Sequence, residues 1–412
     1  MQHLPSADPA PVNQDEGVEG GERHNILRVE RATRGIVIDW ADGHKSLFHH
    51  IWLRDNCHCV ACGNAAIGFR YLRVSDISPD VAPATVGLDD AGNLNITWEP
   101  GHHQSQYQAV WLRRNCYSAA ERARRRHRPK LWDGTLNQLP EISYSEVTAG
   151  DNGHLRMLEL LRDYGLVLIR HVPSVVGELE NVATLLGYIE ETNFGRVFDI
   201  IRTAEQKSIA NSVQPLMPHT DEPYRYRAPG LILFHCIQAN PKDGGVSTYV
   251  DGFKVAEALR REDPGAFDLL SRHIIPYRRL YADEVDVQAA SRMINIDDAG
   301  NVIGIRFNDR VAAPLVLPED AVEPFYAAFS KLAQLYGRTE FRLSIGLVTG
   351  DLMLIDNDRV LHGRTGFADG ASFRHIRQAH VNRTDFHSRL RILGRRLGRA
   401  DAELDLAPGA VG

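Results

Sequence analysis

Residues 352–364 read LMLIDNDRVLHGR, and residues 218–221 read PHTD. In the first stretch a short apolar run precedes a histidine, which predicts a buried strand with His362 just beyond it. In the second stretch His219 and Asp221 are two positions apart, so an extended segment points both side chains to one face. Together the two stretches predict a sheet domain that brings two histidines and a carboxylate to one site.

The segments around these stretches predict a mainly β fold with flanking helices. We expect short strands at residues 165–170, 231–236, 246–250, 302–307, 352–356 and 373–381. Helices are predicted at 152–164, 252–261 and 323–335, and they do not alternate regularly with the strands. This pattern favours an antiparallel sandwich or jelly roll over a doubly wound sheet.

The N-terminal part contains an internal repeat. Residues 36–57 read IVIDWADGHKSLFHHIWLRDNC, and residues 94–116 read LNITWEPGHHQSQYQAVWLRRNC. Each copy has a strand that ends in Trp, a Gly-His turn and a Trp-Leu-Arg-x-Asn-Cys segment. Two copies are too few for a solenoid, so they predict a small pseudo-symmetric β-rich domain.

Three closely spaced cysteines, Cys57, Cys59 and Cys62, lie at the end of the first copy. Such a loop can supply three of the four tetrahedral ligands of Zn²⁺. The fourth ligand must come from elsewhere, and the repeat points to His103. Other histidines remain open as alternatives: His44, His58 and His102. A zinc ion with four protein ligands would be structural rather than catalytic.

The His-x-Asp motif and the distant His362 predict a second metal site. Two histidines and one carboxylate form the facial triad that leaves open positions on Fe(II) for a cosubstrate and O₂. Arg374 is the candidate to bind the distal carboxylate of a keto-acid cosubstrate, because a guanidinium pairs bidentately with carboxylates. Arg364 is the nearest alternative for that role.

Composition excludes several classes of protein. The chain has 412 residues, of which 43% are hydrophobic and 24% charged, with a net charge of −6. This balance argues against a disordered protein and a dedicated nucleic-acid binder, and no apolar stretch is long enough to span a bilayer. We interpret the arginine-rich segment 119–130 as a solvated linker helix. An odd number of cysteines and the absence of an apolar leader predict a cytoplasmic protein without a disulfide framework.

The two motif sets together resemble the γ-butyrobetaine hydroxylase and trimethyllysine hydroxylase family. These are Fe(II)- and 2-oxoglutarate-dependent oxygenases of the taurine dioxygenase class. The resemblance extends from about residue 30 to 395 and includes WLRDNC, PHTDEPY, LILFHCI, GGVSTYVDGF, RFND, LHGR, FRHI and SRLRIL. It implies a double-stranded β-helix (jelly roll) catalytic domain behind a small zinc domain, and a homodimer.

The resemblance also implies roles for individual residues. The implied zinc ligands are Cys57, Cys59, Cys62 and His103, and the implied iron ligands are His219, Asp221 and His362. Arg374 would bind 2-oxoglutarate, with Ser247 as a hydroxyl donor. The implied substrate-binding positions are Phe194, Phe198, Asn211, Glu222, Asn308 and His380, with Ser208 as the companion of Asn308. At residues 211, 222 and 380 the γ-butyrobetaine enzymes have Tyr, so half of the aromatic cage for a trimethylammonium cation is changed.

We therefore predict a dioxygenase that hydroxylates an unactivated C–H bond of a small zwitterion resembling γ-butyrobetaine, with ascorbate as a helpful additive. Alternative substrates are trimethyllysine and a trimethylammonium phosphonate. A metal-loaded binding or sensor protein is the non-enzymatic alternative, and a nucleic-acid zinc module is a third. The expected domains are a tail at 1–24, a zinc domain at 25–118, a linker at 119–139, a catalytic domain at 140–397 and a tail at 398–412. No nucleic-acid or membrane partner is expected.

Overall fold

The computed structural model describes residues 24–201, 214–239, 244–281, 284–367 and 374–399. The chain divides into two units, residues 1–126 and 127–412. The boundary between them falls within segment 119–139, for which we predict a linker. Nearly all of the predicted tails lies outside the described residues.

The first unit contains the repeat as two three-stranded antiparallel sheets, each followed by short helices. The first sheet and its helix are β1 (Ile26–Ala32), β2 (Gly35–Trp40), β3 (Lys45–His49) and α1 (His50–Asp55). Two short strands follow, β4 (Gly63–Asn64) and β5 (Phe69–Arg70). The second sheet and its helices are β6 (Ala82–Leu88), β7 (Leu94–Glu99), β8 (His103–Tyr107), α2 (Ala109–Arg114) and α3 (Ala119–Arg125).

The two copies share one hydrophobic core. Alternate residues of the middle strands β2 and β7 are buried, as the strand period requires: Ile36, Ile38, Trp40, Leu94, Ile96 and Trp98. Helix α3 is shorter than the predicted helical segment 119–130. Its C-cap Arg126 has extended backbone angles, and Pro129 disfavours helix at the residue before it.

Two sheets form the jelly roll of the second unit. The six-stranded sheet has the order β11-β22-β13-β20-β10-β9, and all its neighbours are antiparallel except β9 and β10. Its strands are β9 (Glu141–Ser143), β10 (Leu166–Arg170), β11 (Val197–Ile201), β13 (Leu231–Gln238), β20 (Leu352–Asp356) and β22 (His375–Val381). The four-stranded antiparallel sheet has the order β12-β21-β14-β19. Its strands are β12 (Leu216–His219), β14 (Ser247–Asp251), β19 (Arg342–Ile345) and β21 (Val360–Arg364).

Strand alternation assigns the two faces of the six-stranded sheet to different cores. Leu166 and Leu168 of β10 pack in one cluster with Tyr249 of the four-stranded sheet, so this core lies between the two sheets. Val167 and Ile169 of the same strand pack in another cluster with residues of flanking helices. These helices are α5 (Asp151–Tyr164), α6 (Glu178–Leu186) and α10 (Arg383–Arg396). The predicted mainly β fold with flanking helices is confirmed.

The remaining elements of the second unit pack mainly in a further core. They are α7 (Gly252–Glu262), α8 (Pro264–Arg272), α9 (Glu319–Gly337), β15 (Ile275–Tyr281), β16 (Val285–Ser291), β17 (Ile294–Ile296) and β18 (Val302–Ile305). Helix α4 (Tyr144–Thr148) packs instead with the flanking helices, through Val147. Helix α9 begins at Glu319 rather than near the predicted residue 323, so Pro324 lies inside it. Gly165, with a φ of 74°, ends α5 directly before β10. Among the described helices, none is both long enough and apolar enough to cross a bilayer.

Candidate active site and cysteine cluster

Two histidines meet across neighbouring strands of the four-stranded sheet. β12 pairs antiparallel with β21, and the register places His219 opposite His362. The centroids of their rings are 4.5 Å apart. His219 is the last residue of β12, and His362 lies in the middle of β21 with its ring 5.0 Å from that of Phe234. The structure thus brings together two histidines that are distant in sequence.

Asp221 lies in the loop after β12 and completes a group of three metal-binding side chains. Its Oδ1 atom lies 3.4 Å from Nε2 of His219 and 3.6 Å from Nε2 of His362. Burial opposes ionisation of Asp221, but the two histidines outweigh this effect and lower the pKa of the carboxyl group. Burial also lowers the pKa of His362 to about 3. The carboxylate is therefore ionised and this imidazole neutral, which are the forms that bind a metal.

Hydrogen bonds hold these side chains in orientation. Nδ1 of His219 lies 2.9 Å from the carbonyl oxygen of Met217, which leaves Nε2 to bind a metal. The amide of Gln378 donates to Oδ2 of Asp221 over 3.0 Å. Asn357 accepts from the backbone N–H of Asp221 over 2.8 Å and donates to its carbonyl oxygen over 3.1 Å. The sequence motifs do not identify Gln378 or Asn357, because both approach Asp221 from other segments.

The donor set fits Fe(II). One ligand atom from each of His219, Asp221 and His362 lies within 4.8 Å of the other two. Within the described ranges, no fourth His, Cys, Asp or Glu joins this group. Two imidazoles and one carboxylate leave coordination positions open, as in non-haem iron oxygenases, whereas a structural zinc site would have four protein ligands.

These three side chains lie in the wall of a cavity of about 690 Å³, a size suited to small molecules. Several predicted site residues also line it: Phe194, Phe198, Glu222, Ser247, Asn308 and Arg374. Sequence reasoning missed other lining residues: Tyr224, Phe234, Tyr249, Arg279, Arg310 and Gln378. Asn211 and its neighbour in the prediction, Ser208, lie outside the described residues.

Two arginines line the cavity next to the ring of Phe367. The guanidinium carbon of Arg364 lies 4.8 Å from the ring centroid, and that of Arg374 lies 5.9 Å from it. Burial lowers the pKa of both groups, that of Arg364 to about 10. Arg364 donates to the carbonyl oxygen of Gln214 over 2.7 Å, and Ser247 lies opposite it in the register of β14 and β21. Arginines and a hydroxyl group here form a site that can receive a carboxylate.

The aromatic residues of the cavity have an arginine beside them. The rings of Phe194 and Phe198 are 5.6 Å apart. The guanidinium group of Arg279 lies 5.0 Å from the ring of Phe194, so a cation of the protein already contacts this ring. Burial raises the pKa of Glu222, although Arg225 forms an ion pair with it and opposes the shift. The aromatic and acidic groups predicted to receive a cation thus have arginine neighbours.

Asn308 and Arg310 line another part of the wall. The amide of Asn308 donates to the carbonyl oxygen of Thr220 over 3.4 Å, and Nε of Arg310 lies 3.4 Å from the amide oxygen of Asn308. Partial desolvation lowers the pKa of Arg310, although its side chain remains exposed to solvent. In the part of the chain that the structure describes, no ion pair engages Arg310. Its charge favours an anionic group in the cavity.

His380 lies behind this wall. It is 2% exposed, its Nε2 atom lies 2.9 Å from the amide nitrogen of Gln378, and its ring packs edge-on against Phe198 at 5.5 Å. Burial lowers the pKa of His380 to about 4, so the ring is neutral and can accept the hydrogen bond. His380 therefore acts on the cavity through Gln378 and Phe198.

The first unit contains a second group of metal-binding side chains. The Sγ atoms of Cys57, Cys59 and Cys62 lie 3.3, 3.6 and 3.5 Å from Nε2 of His103. Of the four histidines considered from the sequence, His103 is the one whose ring nitrogen lies within 4.8 Å of all three thiol sulfurs. Three thiols and one imidazole fit tetrahedral Zn²⁺ with no open position.

Both groups of ligands lie in segments that match known families. Residues 129–380 match the family described as "Taurine catabolism dioxygenase TauD, TfdA family". The chain belongs to the TauD/TfdA dioxygenase family. Residues 27–113 of this dioxygenase match a second family, "Gamma-butyrobetaine hydroxylase-like, N-terminal".

Curated relatives of the dioxygenase extend over most of the chain. The gamma-butyrobetaine dioxygenase of Pseudomonas sp. (strain AK-1) is 35% identical over 364 residues, which cover 88% of this chain and 94% of the relative. The human gamma-butyrobetaine dioxygenase is 32% identical, and the match covers 88% of this chain and 95% of the relative. The trimethyllysine dioxygenase of Meyerozyma guilliermondii is 29% identical, and the match covers 90% of this chain and 96% of the relative. This TauD/TfdA-family protein is therefore an oxygenase, and the predicted resemblance is confirmed.

Proposed function

We propose that the protein is an Fe(II)- and 2-oxoglutarate-dependent dioxygenase that hydroxylates an unactivated C–H bond of a small zwitterion. The observation that carries this proposal is the group of His219, Asp221 and His362 in the wall of a 690 Å³ cavity that Arg374 also lines. When bound there, Fe(II) and 2-oxoglutarate supply the oxidation by O₂, in which 2-oxoglutarate becomes succinate and CO₂ and the substrate gains a hydroxyl group.

The chain itself contributes ligands and orientation. His219, Asp221 and His362 hold the iron, and Gln378 keeps the carboxylate of Asp221 in position through its hydrogen bond. We assign the distal carboxylate of 2-oxoglutarate to Arg374, because a guanidinium can pair bidentately with a carboxylate and the neighbouring Arg364 already donates to the carbonyl oxygen of Gln214. Ser247, which lies on β14 and lines the same cavity as Arg374, would donate its hydroxyl group to the same carboxylate.

For the substrate, we propose a quaternary ammonium cation joined by a short chain to an anionic group. The names of the relatives support this class, since they act on gamma-butyrobetaine and trimethyllysine. Asn308 and Arg310 would receive the anionic group, and Phe198 and Glu222 the cation. Because Arg279 and Arg225 already contact the aromatic and acidic groups, we include a trimethylammonium phosphonate beside γ-butyrobetaine and trimethyllysine as a candidate.

Further parts of the proposal concern the whole protein. We propose structural zinc at Cys57, Cys59, Cys62 and His103, because a closed four-ligand set couples metal binding to folding. We also propose a cytoplasmic homodimer with small molecules as its only ligands and with no nucleic-acid or membrane partner. We also propose the domain boundaries that are predicted from the sequence.

The test is formation of succinate from 2-oxoglutarate with Fe(II), ascorbate and O₂. A panel of γ-butyrobetaine, trimethyllysine and trimethylammonium phosphonates is added one compound at a time. We expect one class of compound to stimulate succinate formation and to gain one oxygen atom. A protein that binds Fe(II) and 2-oxoglutarate but forms no succinate with any compound would be a binding or sensor protein, which contradicts the proposal.

A further inference from the structure

The repeat of the first unit contains a counterpart of the three-cysteine group. Because the spacing from the Gly-His turn to the Asn-Cys segment is the same in both copies, His44 corresponds to His103 and Cys116 corresponds to Cys57. Nε2 of His44 lies 3.5 Å from Sγ of Cys116, and Nε2 of His103 lies 3.3 Å from Sγ of Cys57. In both pairs the histidine of one copy meets the cysteine of the other.

The other two ligand positions differ in chemistry. Cys59 corresponds to Ser118, whose Oγ lies 3.4 Å from Nε2 of His44. Cys62 corresponds to Glu121, which is 4% exposed. The counterpart group therefore keeps one thiol and one imidazole but has a hydroxyl and a carboxylate in place of the other two thiols.

The framework around the two groups is the same. In each copy the tryptophan at the end of the middle strand donates to a serine, over 2.8 Å in Trp40–Ser46 and 2.9 Å in Trp98–Ser105. Ser46 in turn donates to Sγ of Cys116 over 3.0 Å. The backbone and these hydrogen bonds thus hold Cys116 in an orientation similar to that of a metal-binding cysteine.

An arginine accompanies each group, and its partner differs. Nη1 of Arg54 donates to Sγ of Cys62 over 3.3 Å. At the equivalent position, Nη1 of Arg113 lies 2.8 Å from Oε1 of Glu121. Arg124 contacts the second carboxylate oxygen of Glu121 over 2.9 Å. A carboxylate between two guanidinium groups is already compensated, which makes it a poor ligand for a further cation.

We propose that the repeat has one metal centre and one metal-free counterpart, in which the Arg113–Glu121 ion pair replaces the metal. The ion pair holds the segment after Cys116, as zinc holds the loop after Cys57. This inference rests on the proposed zinc at the three-cysteine group. It further implies that changing Ser118 and Glu121 to cysteine completes a second metal site, because His44 and Cys116 already lie close together. Arg113 should not prevent this, since its counterpart Arg54 donates to the thiol of Cys62 in the three-cysteine group.

The first test compares His44→Ala with His103→Ala in the full-length protein, with zinc per chain measured by elemental analysis. We expect one zinc ion per chain in the unmodified protein and in His44→Ala, and loss of zinc in His103→Ala. Loss of zinc in His44→Ala to the same extent would overturn the inference. An unmodified protein that purifies without zinc and binds none would contradict the zinc assignment itself, which is a separate failure.

The second test converts the counterpart into a metal site. The variant S118C/E121C should bind two zinc ions per chain, and its Co(II) form should have about twice the thiolate-to-metal absorption of the unmodified protein, because a second thiolate-rich site is filled. The matched control S118A/E121A should bind one. Adding His44→Ala to the double cysteine variant should return it to one ion. A double cysteine variant that folds and retains succinate formation but binds a single zinc ion would overturn the inference. If this variant does not fold, the comparison of His44→Ala with His103→Ala tests the inference instead.

Discussion

The side-chain amide of Gln378 donates to Oδ2 of Asp221 over 3.0 Å, and the same nitrogen lies 2.9 Å from Nε2 of His380. Both contacts are possible because an amide nitrogen has two hydrogens and His380 is neutral. One side chain of β22 therefore joins the carboxylate of Asp221 to a buried histidine. This link fixes which oxygen of Asp221 faces His219 and His362.

We expect Gln378→Leu to weaken Fe(II) binding about 10- to 100-fold, the usual effect of losing a partner that orients a metal ligand. The carboxylate of Asp221 would lose a donor and rotate more freely. The measurement is the Fe(II) concentration that gives half-maximal succinate formation. Gln334→Leu, on the exposed surface of α9, is the matched control and should leave this concentration unchanged. An unaltered Fe(II) requirement in Gln378→Leu would show that Gln378 does not position Asp221.

We expect Arg374→Ala to raise the concentration of 2-oxoglutarate needed for half-maximal turnover by about 30-fold or more. Truncating one partner of a buried charge pair costs about 2–5 kcal/mol, and each 1.4 kcal/mol is about tenfold. Iron content should stay nearly intact because Arg374 is not a ligand. Arg364→Ala, which removes the neighbouring guanidinium, is the control titration. A large cosubstrate defect in Arg364→Ala alone would reverse the two assignments.

We expect Arg310→Gln to raise the KM of the preferred substrate by about two- to fivefold, because the anionic group would lose a solvent-exposed guanidinium partner, and such a pair contributes up to about 1 kcal/mol. The 2-oxoglutarate requirement should not change. Arg279→Gln is the matched control, because Arg279 contacts the ring of Phe194 and is not assigned to the anionic group. Equal KM values in Arg310→Gln and the unmodified enzyme would remove Arg310 from the substrate site.

We expect Cys59→Ser to lower both zinc content and the melting temperature, because metal binding and folding are coupled in a closed four-ligand site. The proposed iron site lies in the other unit and should remain competent, so residual folded protein should still form succinate. Elemental analysis and a thermal melt on the same preparation check this. Full zinc content with unchanged melting would contradict a structural role for the cluster.

The parts of the site that could be predicted from sequence are those with a local signature. His219 and Asp221 lie two positions apart on an extended segment, and three cysteines lie in one loop, so spacing alone indicates a metal. His362 follows an apolar run that becomes a buried strand. Five of the ten described jelly-roll strands are predicted for the same reason, since their apolar residues lie in short runs between turns: β10, β13, β14, β20 and β22.

Other parts depend on contacts between distant segments. Gln378 reaches Asp221 from β22, and Asn357 reaches it from the turn between β20 and β21, so no local motif marks either residue. Arg279 lies on a strand of the β15–β16 hairpin, for which the sequence reasoning had no strand. Glu222 and Arg225 are three positions apart in the sequence, so their ion pair could have been predicted from this spacing.

The most direct test of the central claim measures conversion of 2-oxoglutarate to succinate in the unmodified protein and in His219→Ala, Asp221→Ala and His362→Ala, at saturating Fe(II). The account predicts O₂-dependent succinate formation in the unmodified protein and its loss in all three variants, which should stay folded because each change leaves the strands intact. Turnover near that of the unmodified protein in any one variant would contradict the assignment of these residues as the iron ligands.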